Sequence, residues 1–469
     1  MYSHAEKVLK IQEIARQAHI SGKKILFRKV STNTTRPIGQ APRAPVVDLE
    51  SLKDILDIHV EEQWIDVEPR VPMDALVDEA LRYKLLPMVV PEFPGITVGG
   101  AIQGGALESS SFRYGQFNDT VLEIEVVLGD GSLVVATKDN EFSDLFWGLS
   151  TSYGSLGIIT RVRLPLMPAK AYVEVHMSPC HSTEACLGAI VEETGGMADF
   201  LEGIIFTSTE SAMLQGRFVE KPEGPVQRLG RNIDPWYYRL VRKNVENGTY
   251  TMTVPVRDYL FRYDKGAFWM GEHLFPYFLL PSNALTRLLF APFLHTRKLY
   301  DGLHQLGLQK NFVIQDLYMN TDEVPSLINY NEECSQIFPL WVCPIQSSNA
   351  PQKFAAHFRE HHPTTLLNIG LYGLPASDAQ ATTLELEEHI SNSSSRKMLY
   401  ADIYVSSDTF WQTYDNEWYG ALRSKYQANP FTNIFEKISA RTTDKKISRA
   451  RGMGNLIKES LSGKNVVWW

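Results

Sequence analysis

The stretch TVGGAIQGGALESSSFRYGQFNDTVLEIEVVLGDG, residues 97–131, carries four glycines in its first nine positions: Gly99, Gly100, Gly104 and Gly105. Each glycine in an ordered segment costs about 0.5–1 kcal/mol relative to alanine, so the cluster calls for a physical reason. A glycine-rich surface loop is one reading. The other is a backbone that must approach something flat or charged which a Cβ would exclude. The flanks favour the second. An apolar run precedes the glycines, and two apolar strands joined at Gly129-Asp130-Gly131 follow the serine triplet as a hairpin.

Around this stretch the chain reads as alternating strands and helices. KKILFRKVSTNTTR opens with a strand at 25–27 and runs into a polar loop of Ser31, Thr32, Asn33, Thr34 and Thr35, which offers hydroxyls and N–H groups to an anion. Period-two alternation predicts strands at 55–60 and 64–71. Pro72 marks a helix start, with Leu76, Ala80, Leu81 and Leu85 on one apolar face. A short helix at 144–149, a loop at 150–157 and a strand at 158–164 complete one α/β domain, residues 1–168. From 169 to 440 the texture changes to longer aromatic strands (YVEVHM, FLEGIIF, AMLQGRF) and helices, a second α+β domain, followed by a tail at 441–469. The spacing of GGAIQGG does not make a Rossmann fingerprint, and no P-loop is present.

Composition narrows the function classes. With 469 residues, 44% of them hydrophobic, the chain can fill more than one core, and a net charge of −8 without a basic stripe argues against nucleic acid. The four cysteines, Cys180, Cys186, Cys334 and Cys343, show no metal-ligand spacing, which suits ordinary thiols in a reducing compartment and no metal. Residues 1–18 mix charge with apolar positions as an amphipathic helix does, not as a signal peptide does. The most apolar tract, 274–294, is interrupted by Pro276, Pro281, Pro292, Asn283 and Arg287. It reads as core, or as an apolar lip making at most peripheral membrane contact, and not as a membrane span.

The order VVPEFPGITVGG, ESSSFRYG, VVLGDG, SDLFWGL and YGSLGII resembles the FAD-binding domain of the vanillyl-alcohol-oxidase/PCMH superfamily. Within it, PWYYRLVRKNVENG, VPVRDYLFRYDKGAFW, PLWVCPI, LNIGLYGLP and MLYADIYVSSDTFW resemble the delta-24 sterol reductase group. The resemblance implies an α+β, two-domain PCMH-type fold with an FAD domain and a substrate or cap domain. It assigns cofactor contacts to Thr97, Val98, Gly99, Gly100, Gln103, Gly104, Gly105, Ser109, Ser110, Ser111, Tyr114 and Gly115, and to Gly154, Gly157, Ile158 and Ile159. Gly99 and Gly100 are expected at the diphosphate. The second pair of glycines and the serines are expected along the ribityl chain and ring edge, and 154–159 at the adenine end. Histidine and cysteine, which attach flavin covalently in this superfamily, are missing from RKVSTNTTR and TSYGSLGII, so noncovalent FAD is expected. Two departures stand out. The chain begins at the helix that follows the opening strand of the domain, without the group's N-terminal membrane segment, and Phe112 stands where the group carries histidine.

The implied activity is reduction of a carbon–carbon double bond in a sterol- or terpenoid-like substrate by hydride from flavin N5, with NADPH as electron donor. Such a reduction requires a proton donor near the flavin. Candidates on second-domain strands are Glu202, Tyr318, Tyr372, Tyr400 and Asp402, with Asp316 and Tyr404 beside them; for each, a core tyrosine or a satisfied structural carboxylate is the alternative. An FAD-dependent oxidase or dehydrogenase of an alcohol or saturated carbon is the alternative activity, and a scaffold that no longer binds FAD is disfavoured by the intact glycines. The expected location is cytoplasmic or peripheral to a membrane, the endoplasmic reticulum surface included.

Overall fold

The computed structural model of the chain describes residues 2–30, 45–277, 279–306, 308–360, 364–391, 393–440 and 466–468. The polar loop of Ser31 to Thr35 and most of the tail lie outside the described residues.

The first helix, His4–Ser21, starts in a capping box in which the Ser3 hydroxyl accepts from the Glu6 N–H and the Glu6 carboxylate accepts from the Ser3 N–H. It ends at Gly22 in the left-handed region, φ 64°. Val8, Ile11, Ala15 and Ala18 form its buried stripe. The helix docks through charge as well. His4 lies 2.8 Å from Glu68 Oε1 and 3.0 Å from Glu125 Oε1, and Lys7 donates to Glu68 and to Asp54.

Two principal sheets follow. The first takes the strands Ile55–His59, Trp64–Val67, Ile158–Pro168, Glu123–Val127 and Leu133–Thr137 in that spatial order, with Leu85–Pro87 paired to the long third strand. Leu26–Val30 pairs with Val46–Asp48 and with Val466–Trp468 in a small separate sheet. The second sheet is eight-stranded and antiparallel throughout, from Tyr250–Pro255 at one edge to Arg396–Lys397 at the other. Strands and hairpin stand close to their expected places, with the strand at 64–71 ending earlier, at Val67.

Two features differ from the expectation. Residues Val98–Gly104 form a helix: Val98, Ala101 and Ile102 are buried on one side, and Thr97 caps it by accepting from the Gly100 N–H. The apolar spacing inside TVGGAIQGG overrides the low helix propensity of its glycines. The second difference lies at the C-terminal end. The helix Asn416–Lys425 and the turn after it return to the first domain, where Arg423 donates to the Ser155 carbonyl at 2.6 Å and the Pro430 carbonyl accepts from the Ile25 N–H at 2.8 Å. A Cβ at Gly129 would overlap the Gln427 carbonyl, so the hairpin glycine also serves this return packing.

Its two carboxylate partners raise His4 from the ordinary 6.5 to about 9, against the opposing effect of burial. A group raised on folding stabilises fully below its unfolded value and loses that contribution as pH climbs through the folded one. The margin by which the native chain's melting temperature exceeds that of His4→Gln should therefore be largest at pH 6.5 and shrink toward pH 9. Calorimetry across that window checks this, and an unchanged slope in the variant counts against it.

Candidate active site

A cavity of about 330 Å³ lies between the two sheets. From the first domain its wall includes Thr97, Gly99, Gly100, Gln103 and Gly104 of the glycine helix, and Gly154, Gly157, Ile158 and Ile159 where the long strand begins. From the other side come Phe268, Trp341, Ile314, Asp316, Tyr372, Met398 and Tyr400.

The glycines are not equivalent. A Cβ at Gly99 would stand 2.6 Å from Pro69 Cβ, and one at Gly157 2.5 Å from Val126 Cγ1, so both are glycine because protein packs against them. At Gly104 a Cβ would meet nothing within 4 Å, and at Gly100 only the Thr97 hydroxyl, at 3.0 Å. These two leave bare backbone on the cavity side. Lys29, Arg70 and Lys437 line the same cavity. Exposed backbone, basic side chains and aromatic rings on the wall of one cavity are the groups that would hold an anionic diphosphate and a flat ring.

Several expected contacts stand elsewhere. Val98 is buried beneath the helix, and Gly105 ends it at φ 67°, against Thr151. Ser109, Ser110 and Ser111 are buried and use their hydroxyls internally: Ser109 donates to Glu108 and accepts from Arg262, Ser110 donates to the Met88 carbonyl, and Ser111 accepts from the Glu108 N–H. The serine triplet thus ties loops together away from the cavity wall. Tyr114 packs against the core, Gly115 caps a short helix against Asp119, and Phe112 belongs to the core under the large sheet.

The candidate acids separate likewise. Glu202 is fully enclosed, accepting two hydrogen bonds from Arg262 at 2.9 and 3.0 Å, one from Tyr263 at 3.1 Å and one from the Trp341 indole at 2.8 Å. It is a satisfied structural carboxylate behind the wall. Tyr318 is buried against Gln116 and Met398, while Asp402 and Tyr404 do not reach the cavity. Tyr372 and Tyr400 do, and Asp316 joins them. Asp316 Oδ1 accepts from Tyr372 at 2.6 Å and from Asn368 at 2.7 Å, and Oδ2 accepts from Tyr400 at 2.8 Å. Strand register builds this group. Asp316 pairs with Gly370, and the Tyr372 ring lies back over that glycine, where a Cβ would stand 2.5 Å from the tyrosine oxygen. Burial raises the Asp316 carboxyl above the usual carboxylate range, and burial and the adjacent Asp316 raise both tyrosines.

Sequence reasoning passes over Glu92, Trp341 and Met398, all on the cavity wall. Only Glu92 carried a signal, an acid inside the apolar run VVPEFPGI.

Comparison with known proteins finds flavoprotein relatives. Residues 2–137 match the family model of an FAD binding domain. The chain is 27% identical to the human delta(24)-sterol reductase over 451 residues, covering 93% of this chain and 86% of the relative. The pea delta(24)-sterol reductase is also 27% identical, over 86% of this chain and 78% of the relative. A rice cytokinin dehydrogenase is 28% identical over 184 residues, 35% of this chain.

The two kinds of glycine should respond differently to substitution. Gly100→Val should leave a folded chain that no longer retains FAD, because a branched side chain fills cavity space; Gly99→Ala, driven into Pro69, should lower the melting temperature. Flavin absorbance and thermal unfolding of both variants check this. Normal FAD retention in Gly100→Val would contradict the assignment.

Proposed function

We propose that this chain, a delta(24)-sterol-reductase-like FAD-dependent oxidoreductase of the vanillyl-alcohol-oxidase/PCMH superfamily, reduces a carbon–carbon double bond of an apolar sterol- or terpenoid-like substrate, with noncovalent FAD and NADPH as reductant. The observation that carries the reading is the Asp316, Tyr372 and Tyr400 group on the wall of an otherwise largely apolar cavity. Noncovalent attachment is supported by the makeup of that wall: its described residues include no histidine or cysteine.

FAD, when bound, supplies hydride chemistry, taking hydride from a nicotinamide and delivering it from N5 to carbon. The second alkene carbon must then receive a proton, and this chain's residues hold one. With Asp316 ionised, both tyrosine hydroxyls donate to it. With Asp316 protonated, its O–H donates to one tyrosine oxygen, and that tyrosine's own O–H turns to the cavity. The proton leaves the tyrosine for carbon, the Asp316 proton replaces it, and the resulting carboxylate is held by the remaining donors, Asn368 among them. Burial favours the protonated form of Asp316, against the three donors that favour its carboxylate, and the rate of the step should fall as pH rises through the titration of this group. Phe268, Ile314, Trp341 and Met398 exclude water and offer the apolar surface a hydrocarbon ligand needs.

Access fits a lipid-like substrate. Between Met270 and Tyr300, both on the cavity wall, the chain exposes Leu279 (84%) in a turn and Leu285 (65%) and Leu289 (65%) on a short helix, and no described helix is long and apolar enough to cross a membrane. We place peripheral membrane contact on this 274–294 lip, facing a cytoplasmic or endoplasmic-reticulum surface.

Anaerobic stopped-flow spectroscopy tests the reaction. NADPH should bleach the flavin and a delta(24)-unsaturated sterol should restore its colour; Asp316→Asn should slow the second phase by about 10²–10⁴-fold, remove its pH dependence and leave the first phase unchanged. Peroxide formation in air with no reduced sterol would favour the oxidase reading instead. For the lip, Leu285→Glu/Leu289→Glu should reduce co-sedimentation with phosphatidylcholine vesicles about fivefold or more, and equal binding would remove the lip from the account.

A further inference from the structure

The carboxyl of Glu92 has no part in the proton path just described. It lies on the first-domain wall of the cavity, in the segment that leads into the glycine helix, and its neighbour Phe93 packs edge-on against Phe268 and Tyr300 of the opposite wall. The residue is 6% exposed, and its Oε1 is buried without a hydrogen-bond partner. A buried polar atom left in this state costs free energy that a hydrocarbon side chain would not.

The surroundings explain why no protein group satisfies it. Arg262 is the nearby cation, and its guanidinium is already committed to Glu202, to the Ser109 hydroxyl and to the Tyr259 carbonyl. Glu108 and Glu202, the other acids near Glu92, are acceptors held by their own donors. Across the cavity, the Asp316 oxygens are occupied by Tyr372, Tyr400 and Asn368. Of the two carboxyls among the described residues of the cavity wall, Glu92 is therefore the one with a buried oxygen that has no partner.

We propose that Glu92 is a ligand anchor, hydrogen-bonding the polar edge of the molecule that fills the cavity. Burial raises its carboxyl well above the usual range, so it presents one donor and one acceptor in place of a charge. That pair matches an amide-like edge or a hydroxyl, and two sources carry such chemistry: the imide edge of a flavin ring and the hydroxyl of a sterol. The sterol source rests on the function proposed above; the flavin source does not.

The test uses the FAD-loaded chain with Glu92→Leu and Glu92→Gln. FAD release at equilibrium is measured by ultrafiltration, and binding of a delta(24)-unsaturated sterol, and of its O-methyl ether, by perturbation of the flavin spectrum. Loss of one neutral hydrogen bond should weaken one ligand about tenfold in Glu92→Leu, and Glu92→Gln should restore it to within about threefold. Weakened FAD with unchanged sterol binding assigns the flavin edge. Weakened sterol with unchanged FAD, together with loss of the preference for hydroxyl over ether, assigns the sterol. If neither affinity moves by more than about threefold, or if Gln and Leu behave alike, the inference is overturned. Infrared difference spectra of the native holoenzyme add a readout that needs no folded Leu variant: the carboxylic-acid C=O band absent from Glu92→Gln should shift when the ligand binds, and a band indifferent to both ligands also overturns the inference. A native chain that binds FAD but fails to reduce the sterol removes the proposed function and leaves the FAD measurement to decide on Glu92.

Discussion

The buried ion pair of Arg262 and Glu202 lies in the second half of the molecule, and Arg262 ties it to the first half through the Ser109 hydroxyl. Both side chains are fully enclosed, and charges so placed are tolerated only when their hydrogen bonds are satisfied. Arg262 reaches Glu202 on the large sheet, Ser109 beyond the glycine helix and the Tyr259 carbonyl in its own turn, while Glu202 also holds Tyr263 and the Trp341 indole. The Leu201 N–H donates to the Ser109 carbonyl at 2.7 Å on the same seam. Removing either partner would leave an uncompensated buried charge, at a cost of about 3–5 kcal/mol. Through the Trp341 indole and the Ser109 hydroxyl, the network links the cavity wall at Trp341 to the segment that follows the glycine helix.

This arrangement also determines the protonation of the cavity. With Arg262 committed, neither Glu92 nor Asp316 has a cation at hydrogen-bonding distance among the described contacts, and burial raises both. Proton uptake is the less costly response to an apolar enclosure. Burial thus pushes two acids on the cavity wall toward their neutral forms. Their surroundings differ: Asp316 accepts from Tyr372, Tyr400 and Asn368, whereas Glu92 has a buried oxygen without a hydrogen-bond partner.

Much of the fold was legible because its signals are local. The helix Met73–Arg82 follows from its 3.6-residue apolar period, the strands Glu123–Val127 and Leu133–Thr137 from the turn between them, and the first helix from its mixture of charged and apolar positions. The glycine stretch was legible as a place of close backbone approach but not as a helix. Its apolar positions fit a single turn of buried face, too short a pattern to outweigh four glycines until the sheet beneath supplies the partner. The serine triplet misled for the same reason, since hydroxyls beside a glycine cluster suit a ligand as well as they suit Glu108, Met88 and Arg262.

By itself the sequence determined the element types, the flavin-domain motifs, the change of texture near residue 168 and a short list of acids and tyrosines as candidates for a proton donor. It did not rank that list. Glu202 and Asp316 both stand on buried strands and are equivalent by periodicity, yet one is neutralised by an arginine 60 positions away and an indole 139 positions away, and the other opens on the cavity. Glu92 stands apart from any such strand, and its facing follows from a segment trapped between two sheets. Tertiary structure made these choices because the protonation and reach of a buried carboxyl depend on which groups lie within a few ångströms of it, and in this chain those groups come from distant strands whose register the local pattern does not encode.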